Sequence, residues 1–232
     1  MIIAENENVL AVNKPVHIST LDERDIEKIS LLRIIKEKYH EAQVCHRLDK
    51  ETSGIIIFSK NNNTYRHLNM LFESRKITKK YHAISEGSHN FVNLEINKPI
   101  SVNSKGFSKI DFGNGKQSLS VINTLKNFKD YSLLECSPVS GRLHQIRVHL
   151  KSVNAPITGD LQYGGKLPML SSFKRKYKLS KFEDEEKPII NRVALHAFSI
   201  KFNLEGKEYY FEAPYPKDFN ALLTLLEKYN KF

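Results

Sequence analysis

Tryptophan is absent from this chain of 232 residues, and cysteine occurs only twice, as Cys45 and Cys136. The two cysteines form no CxxC pair and no disulfide framework, so a reducing cytoplasm is the expected setting. Ten glycines and eight prolines are too few for a collagenous or linker-like protein. No run approaches the ~20 apolar residues of a membrane span. The opening MIIAENENVL lacks the basic start of a secretion signal. Acids are in deficit: 26 Asp and Glu against 36 Lys and Arg leave a net charge of +10. That excess favours a polyanionic partner, nucleic acid above all, although a merely lysine-rich protein would carry it too. What the chain does have is core material: thirteen Phe and ten Tyr in a 40% hydrophobic composition. Disordered chains are not built this way.

The hydrophobic pattern divides the chain. Residues 9–14, VLAVNK, read as a strand stopped by Pro15. Ile26, Ile29, Leu32, Ile35 and Tyr39 predict a helix over 21–39. A strand over 42–47 follows, then the polar loop LDKETSG, then the apolar run IIIFSK. Asn61–Asn63 caps a predicted helix carrying Tyr65, Leu68, Leu71 and Phe72. From Tyr81 to Cys136, short runs between Gly, Asn, Lys and Asp predict antiparallel strands joined by hairpins. Leu143, Ile146, Leu150 and Val153 form a helical stripe. Period-two alternation around Glu205–Gly206 predicts a further hairpin, and KDFNALLTLLEKY an amphipathic helix. The expected fold is α+β, a mixed, mainly antiparallel sheet with flanking helices. With no repeat and no composition break, residues 1–232 are expected to form one domain.

Several polar constellations could carry chemistry. In CHRLDKETSG, residues 45–54, Asp49 lies between two strands, Arg47 precedes it, and Thr52, Ser53 and Gly54 supply turn chemistry. Such an aspartate can simply bond nearby backbone N–H groups. At a strand end it can instead serve as nucleophile or acid–base group, provided a cation keeps it ionised when buried. SGRLHQIRVHL, residues 140–150, crowds Arg142, His144, Gln145 and Arg147 into a turn and a half. An arginine fork there suits a carboxylate; the plain alternative is a solvated basic helix face. KKYHAISEG, residues 79–87, opens a strand at Tyr81 after Lys79 and Lys80, and APITGDLQYGG, residues 155–165, is a sharply bent loop. FKRKYKLSKF, residues 173–182, sets Lys174, Arg175, Lys176, Lys178 and Lys181 among Phe173, Tyr177 and Phe182. It suits phosphates and unstacked bases, or it is a solvated lysine loop beside the acidic Glu183–Glu186.

HRLDKETSG, KKYHAISEG, GRLHQIRVHL, PITGDLQYGG and LHAFSIKF occur in the order and rough spacing of the RluA family of RNA pseudouridine synthases. VLAVNKP resembles that family's first strand, and the resemblance runs from about residue 8 to about residue 216. It implies the pseudouridine synthase catalytic fold with a central active-site cleft. It also implies isomerisation of uridine in structured RNA, tRNA or rRNA, by breaking N1–C1′ and rejoining the ring through C5, with no metal and no organic cofactor. By the same resemblance Asp49 matches the catalytic aspartate, and Tyr81 the tyrosine that stacks on the target base and can share in proton removal. Arg142 matches the basic partner of the aspartate, and Arg47 an arginine that helps displace the base. His144, Gln145 and Arg147 are expected at RNA, Arg147 there or in a structural contact. Lys79, Lys80, Lys174, Arg175 and Lys176 are expected along the RNA backbone. Extruding a stacked base costs a few kcal/mol, which an arginine in the gap and a receiving aromatic would offset. Many members carry a small N-terminal RNA-binding domain; the pattern here begins within the first ten residues, so none is expected. The expected partner is RNA, with no membrane or metal, and the chain is expected to be monomeric.

Other classes fit less well. Asp49-Lys-Glu-Thr resembles aspartyl-phosphate enzymes loosely, but residue 51, Glu51, belongs to a different loop grammar from their second acid. His144 and His149 miss the i, i+4 spacing of a helical metal pair, and GxxxxGK[ST] is absent. A non-catalytic RNA-binding or ribosome-assembly factor of the same fold remains; the joint presence of Asp49, Tyr81 and Arg142 speaks against it.

Overall fold

The computed structural model describes residues 1–23, 28–104, 106–179 and 184–232. In chain order the strands are β1 (Ile2–Glu5), β2 (Val9–Lys14), β3 (Gln43–Val44), β4 (Ser53–Ser59), β5 (Thr78–Glu86), β6 (Leu94–Asn97), β7 (Ile100–Val102), β8 (Ser108–Ile110), β9 (Leu119–Asn127), β10 (Tyr131–Pro138), β11 (Leu195–Leu204) and β12 (Lys207–Glu212). The helices are α1 (Leu31–Lys38), α2 (Asn62–Glu73), α3 (Gln145–Lys151) and α4 (Lys217–Tyr229). The chain forms two compact units, Met1–Tyr81 with His196–Tyr215, and His82–Leu195 with Pro216–Phe232.

In the first unit β4 is buried along its whole length, as an unbroken Ile-Ile-Ile-Phe run demands. β2 lies antiparallel to it, with Lys14 opposite Gly54, and β1 adds outside β2. β11 runs parallel to the start of β4, His196 opposite Ser53, then turns at Glu205–Gly206 into β12. Asn61 caps α2 by accepting from Thr64 N at 2.8 Å, and Leu68 anchors that helix in the core.

Two expected elements are shorter than their sequence pattern. Among the described residues the helix expected over 21–39 occupies only Leu31–Lys38. Ser30 caps it, accepting from Arg33 N at 3.2 Å, while Asp22 accepts from the Ser30 hydroxyl at 2.6 Å and pairs with Arg33 at 2.9 Å. Residues 19–22 therefore cross the helix start, Ser19 O and Thr20 O accepting from Leu31 N and Leu32 N. Ile26 lies outside the described residues, and Ile29 is exposed. The strand expected over 42–47 keeps only Gln43–Val44, because His46 turns its ring onto the backbone of β4.

The second unit orders its strands β5-β10-β9-β6, with β10–β9 and β9–β6 antiparallel and β7–β8 a separate antiparallel pair. Burial alternates residue by residue along β10, the mark of a sheet covered on one face. α3 packs on β8, β9 and β10. The mixed, mainly antiparallel sheet with helices against it is what the sequence pattern predicts. Among the described residues no helix is long and apolar enough to cross a membrane, and both cysteines are free thiols.

Candidate active site

The Asp49 loop is held by its backbone. Leu48 sits in the first unit's core, and one side chain answers both of its peptide groups. The Thr20 hydroxyl donates to Leu48 O at 3.0 Å and accepts from Leu48 N at 3.1 Å. Asp49 O accepts from Thr52 N at 3.0 Å. Lys50 O accepts from His17 N at 2.9 Å and from the Lys14 ammonium at 3.2 Å. That ammonium also donates to Pro15 O and Ile18 O, each at 2.9 Å. Lys14 is fully buried, and these carbonyl oxygens replace the water its charge has lost. On the other flank His46 Nε2 accepts from Ile57 N at 3.0 Å, and the ring stacks on Phe72 at 4.8 Å. Burial, helped by the Lys79 charge, pushes the His46 pKa down to about 3, so the ring is neutral and able to accept. Three successive carbonyls around Asp49 are thus tied down, while its own side chain is half-buried and Arg47 is exposed.

Tyr81, in β5, packs partly buried against the same core. Burial first, and then the Asp49 charge, pushes its phenol above the ordinary range, so it stays protonated at neutral pH. The Asp49 side chain is thus close enough for its charge to be felt at the Tyr81 phenol. The residues after Asp49 fix the geometry further. Gly54 has φ +116°, and a Cβ there would meet Ala197 O at 2.2 Å. Ser53 Oγ bonds His196 Nδ1 at 2.8 Å, and His196 Nε2 reaches Ala213 O at 3.0 Å. Lys79 is half-buried with its Nζ 6.0 Å from the Phe72 ring, and burial lowers its pKa. Lys80 is half-buried as well.

The second unit holds the other motifs. Arg142 is half-buried just ahead of α3, and its Nε is buried without a hydrogen-bond partner among the described residues. Gln145 does not fit the expected RNA contact. It is buried, and its amide is committed internally: Oε1 accepts from Ser140 Oγ at 2.7 Å and Arg142 N at 3.0 Å, while Nε2 donates to Leu119 O at 2.9 Å and Ser120 Oγ at 3.0 Å. Arg147 takes the structural alternative. It forks onto Asp160, Nε to Oδ2 at 2.7 Å and Nη2 to Oδ1 at 2.8 Å, with both side chains buried. Its guanidinium also lies 4.9 Å from the Tyr163 ring. His144 sits at φ 53° with Nδ1 2.9 Å from the Tyr163 hydroxyl. The two motifs GRLHQIRVHL and PITGDLQYGG therefore lock each other, and Gly159 is needed because a Cβ would meet Arg192 O at 2.0 Å.

Of the basic loop, Lys174 is half-buried, and Arg175 and Lys176 are exposed. Lys181, Phe182 and Glu183 lie outside the described residues. Among the described residues, no three His, Cys, Asp or Glu side chains are grouped to hold a metal. Lys14, Thr20 and His46 were not singled out by sequence reasoning. The available signals were a lysine at the end of an apolar strand and a histidine three residues before Asp49.

Residues 8–152 match the model of a family described as RNA pseudouridylate synthase. The chain is 36% identical over 209 residues to Ribosomal large subunit pseudouridine synthase C of Buchnera aphidicola, covering 87% of this chain and 62% of that protein. It is 36% identical over 195 residues to Ribosomal large subunit pseudouridine synthase D of Borreliella burgdorferi, covering 77% and 60%. A Rickettsia typhi synthase C is 32% identical over 232 residues, with 96% and 70% covered. The chain spans about three fifths of the length of the first two relatives. The solved structure of Human RNA Pseudouridylate Synthase Domain Containing 1 shares the fold, with a TM-score of 0.72 at 24% identity, covering 100% of this chain and 88% of that one.

Proposed function

This chain belongs to the RluA family of RNA pseudouridine synthases, and from that premise we propose that it isomerises uridine in RNA to pseudouridine with Asp49 as its catalytic carboxylate. The observation that carries this reading is the loop itself. Three carbonyls around one half-buried aspartate are clamped by buried partners, and a protonated phenol lies within reach of its charge. A surface turn has no need of a buried ammonium to hold it. Relatives named for the large ribosomal subunit favour ribosomal RNA as the substrate.

The reaction breaks N1–C1′, turns the ring and forms C5–C1′; C5 gives up its proton and N1 takes one up, so atoms balance without a co-reactant. Asp49 acts at the reacting nucleotide. Tyr81, its phenol held protonated, offers a ring face and an O–H to the nucleotide. Arg47 is exposed and long enough to fill the gap left by an extruded base. Arg142 supplies a guanidinium for a carboxylate or phosphate oxygen.

The test is incubation of purified protein with unmodified ribosomal and transfer RNA fractions, kept apart, alongside Asp49→Ala. Pseudouridine is mapped by carbodiimide-dependent reverse-transcription stops. Stops in ribosomal RNA made by the parent alone are expected; stops made equally by Asp49→Ala would refute the assignment.

A further inference from the structure

We propose that the second unit carries a docking patch for RNA phosphates, built where the 169–179 segment seats on the end of α4 and on the turn between β9 and β10. The proposal rests on the reading that RNA is the substrate. The basic segment is not a loose solvated loop. A 3-10 turn at Leu170–Ser172 precedes it, and Phe173 stands edge-on to Tyr131 at 6.0 Å and 77°. At the other anchor, Lys174 Nζ lies 5.4 Å from the Tyr229 ring centroid. The β9–β10 turn meets the same helix end: Lys129 N donates to Asn230 O at 2.8 Å, and the Asn230 side chain clasps Asp130 through bonds of 2.8 and 2.9 Å. Three segments far apart in sequence thus bring Lys129, Lys174 and Lys228 together, with Arg175 and Lys176 exposed alongside.

The acids near this patch keep their charge but are oriented by other partners: Asp130 holds Asn230, Glu227 pairs with Lys126 at 2.6 Å, and Glu186 accepts from Ser171 N at 2.8 Å. Lys228 Nζ lies 5.2 Å from the same Tyr229 ring that Lys174 approaches. The two ammoniums are therefore no further apart than the sum of their distances to the ring. That bound is close to the Debye length of about 10 Å at 0.1 M salt, so their repulsion is weak but not abolished at the low-salt end. Folding gains nothing from that repulsion, whereas a bridging phosphate chain removes it and releases counterions.

The test compares two triple variants of equal charge change. One is Lys129→Ala/Lys174→Ala/Lys228→Ala. The control, Lys36→Ala/Lys201→Ala/Lys207→Ala, removes exposed lysines of the first unit. Affinity for an unmodified ribosomal RNA fragment is read by fluorescence anisotropy between about 50 and 200 mM salt, since each phosphate contact contributes roughly 0.7–0.9 to the log–log slope. The patch variant is expected to lose about two units of slope and ~tenfold in affinity, the control little of either. Equal losses in both triples, or an unchanged slope in the patch variant, would overturn the proposal. A parent that makes no pseudouridine yet shows the slope difference would refute the catalytic reading and leave the patch standing.

Discussion

Thr20→Val is a near-isosteric change that removes only a hydroxyl, and the structure says what it costs. The hydroxyl bonds both peptide groups of Leu48 at 3.0 and 3.1 Å, and the two residues are 3% and 6% exposed. Valine would leave one buried N–H and one buried C=O unpaired, at about 1–3 kcal/mol each. The added methyl returns about 0.8 kcal/mol of burial. The expected net loss is roughly 2–4 kcal/mol, and at about 2–4 °C per kcal/mol for a chain of this size the thermal midpoint should fall by roughly 5–15 °C. Because Leu48 precedes Asp49, relaxation of its backbone displaces the carboxylate, and a misplacement of about 1 Å can cost ~100-fold in rate. On the proposed function, pseudouridine formation in RNA should drop by roughly 10–100-fold with RNA affinity unchanged, while Thr20→Ser, which keeps both bonds, stays near the parent rate. Melting followed by circular dichroism reads the first effect, and single-turnover pseudouridine formation the second. A Thr20→Val protein within about 0.5 kcal/mol and twofold in rate of its parent would show that the hydroxyl does not hold the loop.

Two further outcomes follow from buried polar groups. His46 titrates near 3 in the folded chain against an ordinary 6.5, so between those values the unfolded chain binds a proton that the folded one excludes. Its stabilising contribution is complete above 6.5 and is lost as pH falls toward 3. The urea midpoint of the parent should therefore decline more steeply from pH 6.5 to about pH 4 than that of His46→Gln, and parallel declines would refute the assignment. Asp160→Ala leaves the Arg147 guanidinium buried without its forked partner and should cost about 3–5 kcal/mol. Arg147→Met/Asp160→Leu, which buries no orphaned charge, should recover much of that in a double-mutant cycle read by thermal melts. A double variant as unstable as Asp160→Ala would remove the ion-pair argument.

Elements whose signal is local were legible. α4 occupies the residues that its apolar spacing marked, and Asn61 caps α2 as an asparagine before such a stripe should. The strands from β5 to β10 and the β11–β12 hairpin follow their short runs and turn residues for the same reason. α1 was overread because apolar spacing continues upstream of its start, while the cap at Ser30 depends on Asp22 and on the carbonyls of Ser19 and Thr20. Within the site, Asp49, Tyr81 and the glycine turn stood out by residue type and order. Gln145 and Arg147 shared a motif with Arg142, and nothing in that string says which of its polar side chains turn inward.

Residue order by itself determined the strand and helix periods, the positive charge and the family, and it singled out the aspartate proposed as catalytic. Tertiary structure alone decided which polar groups were consumed in holding the fold. Lys14 and Thr20 reach Lys50 and Leu48 across some thirty residues, and Arg147 reaches Asp160 from another motif. Lys174 and Lys228 meet on one tyrosine ring from two distant segments. The physical reason is common to all of them. A polar side chain leaves water only where a partner replaces it, and that partner is chosen by chain path, not by neighbours in sequence.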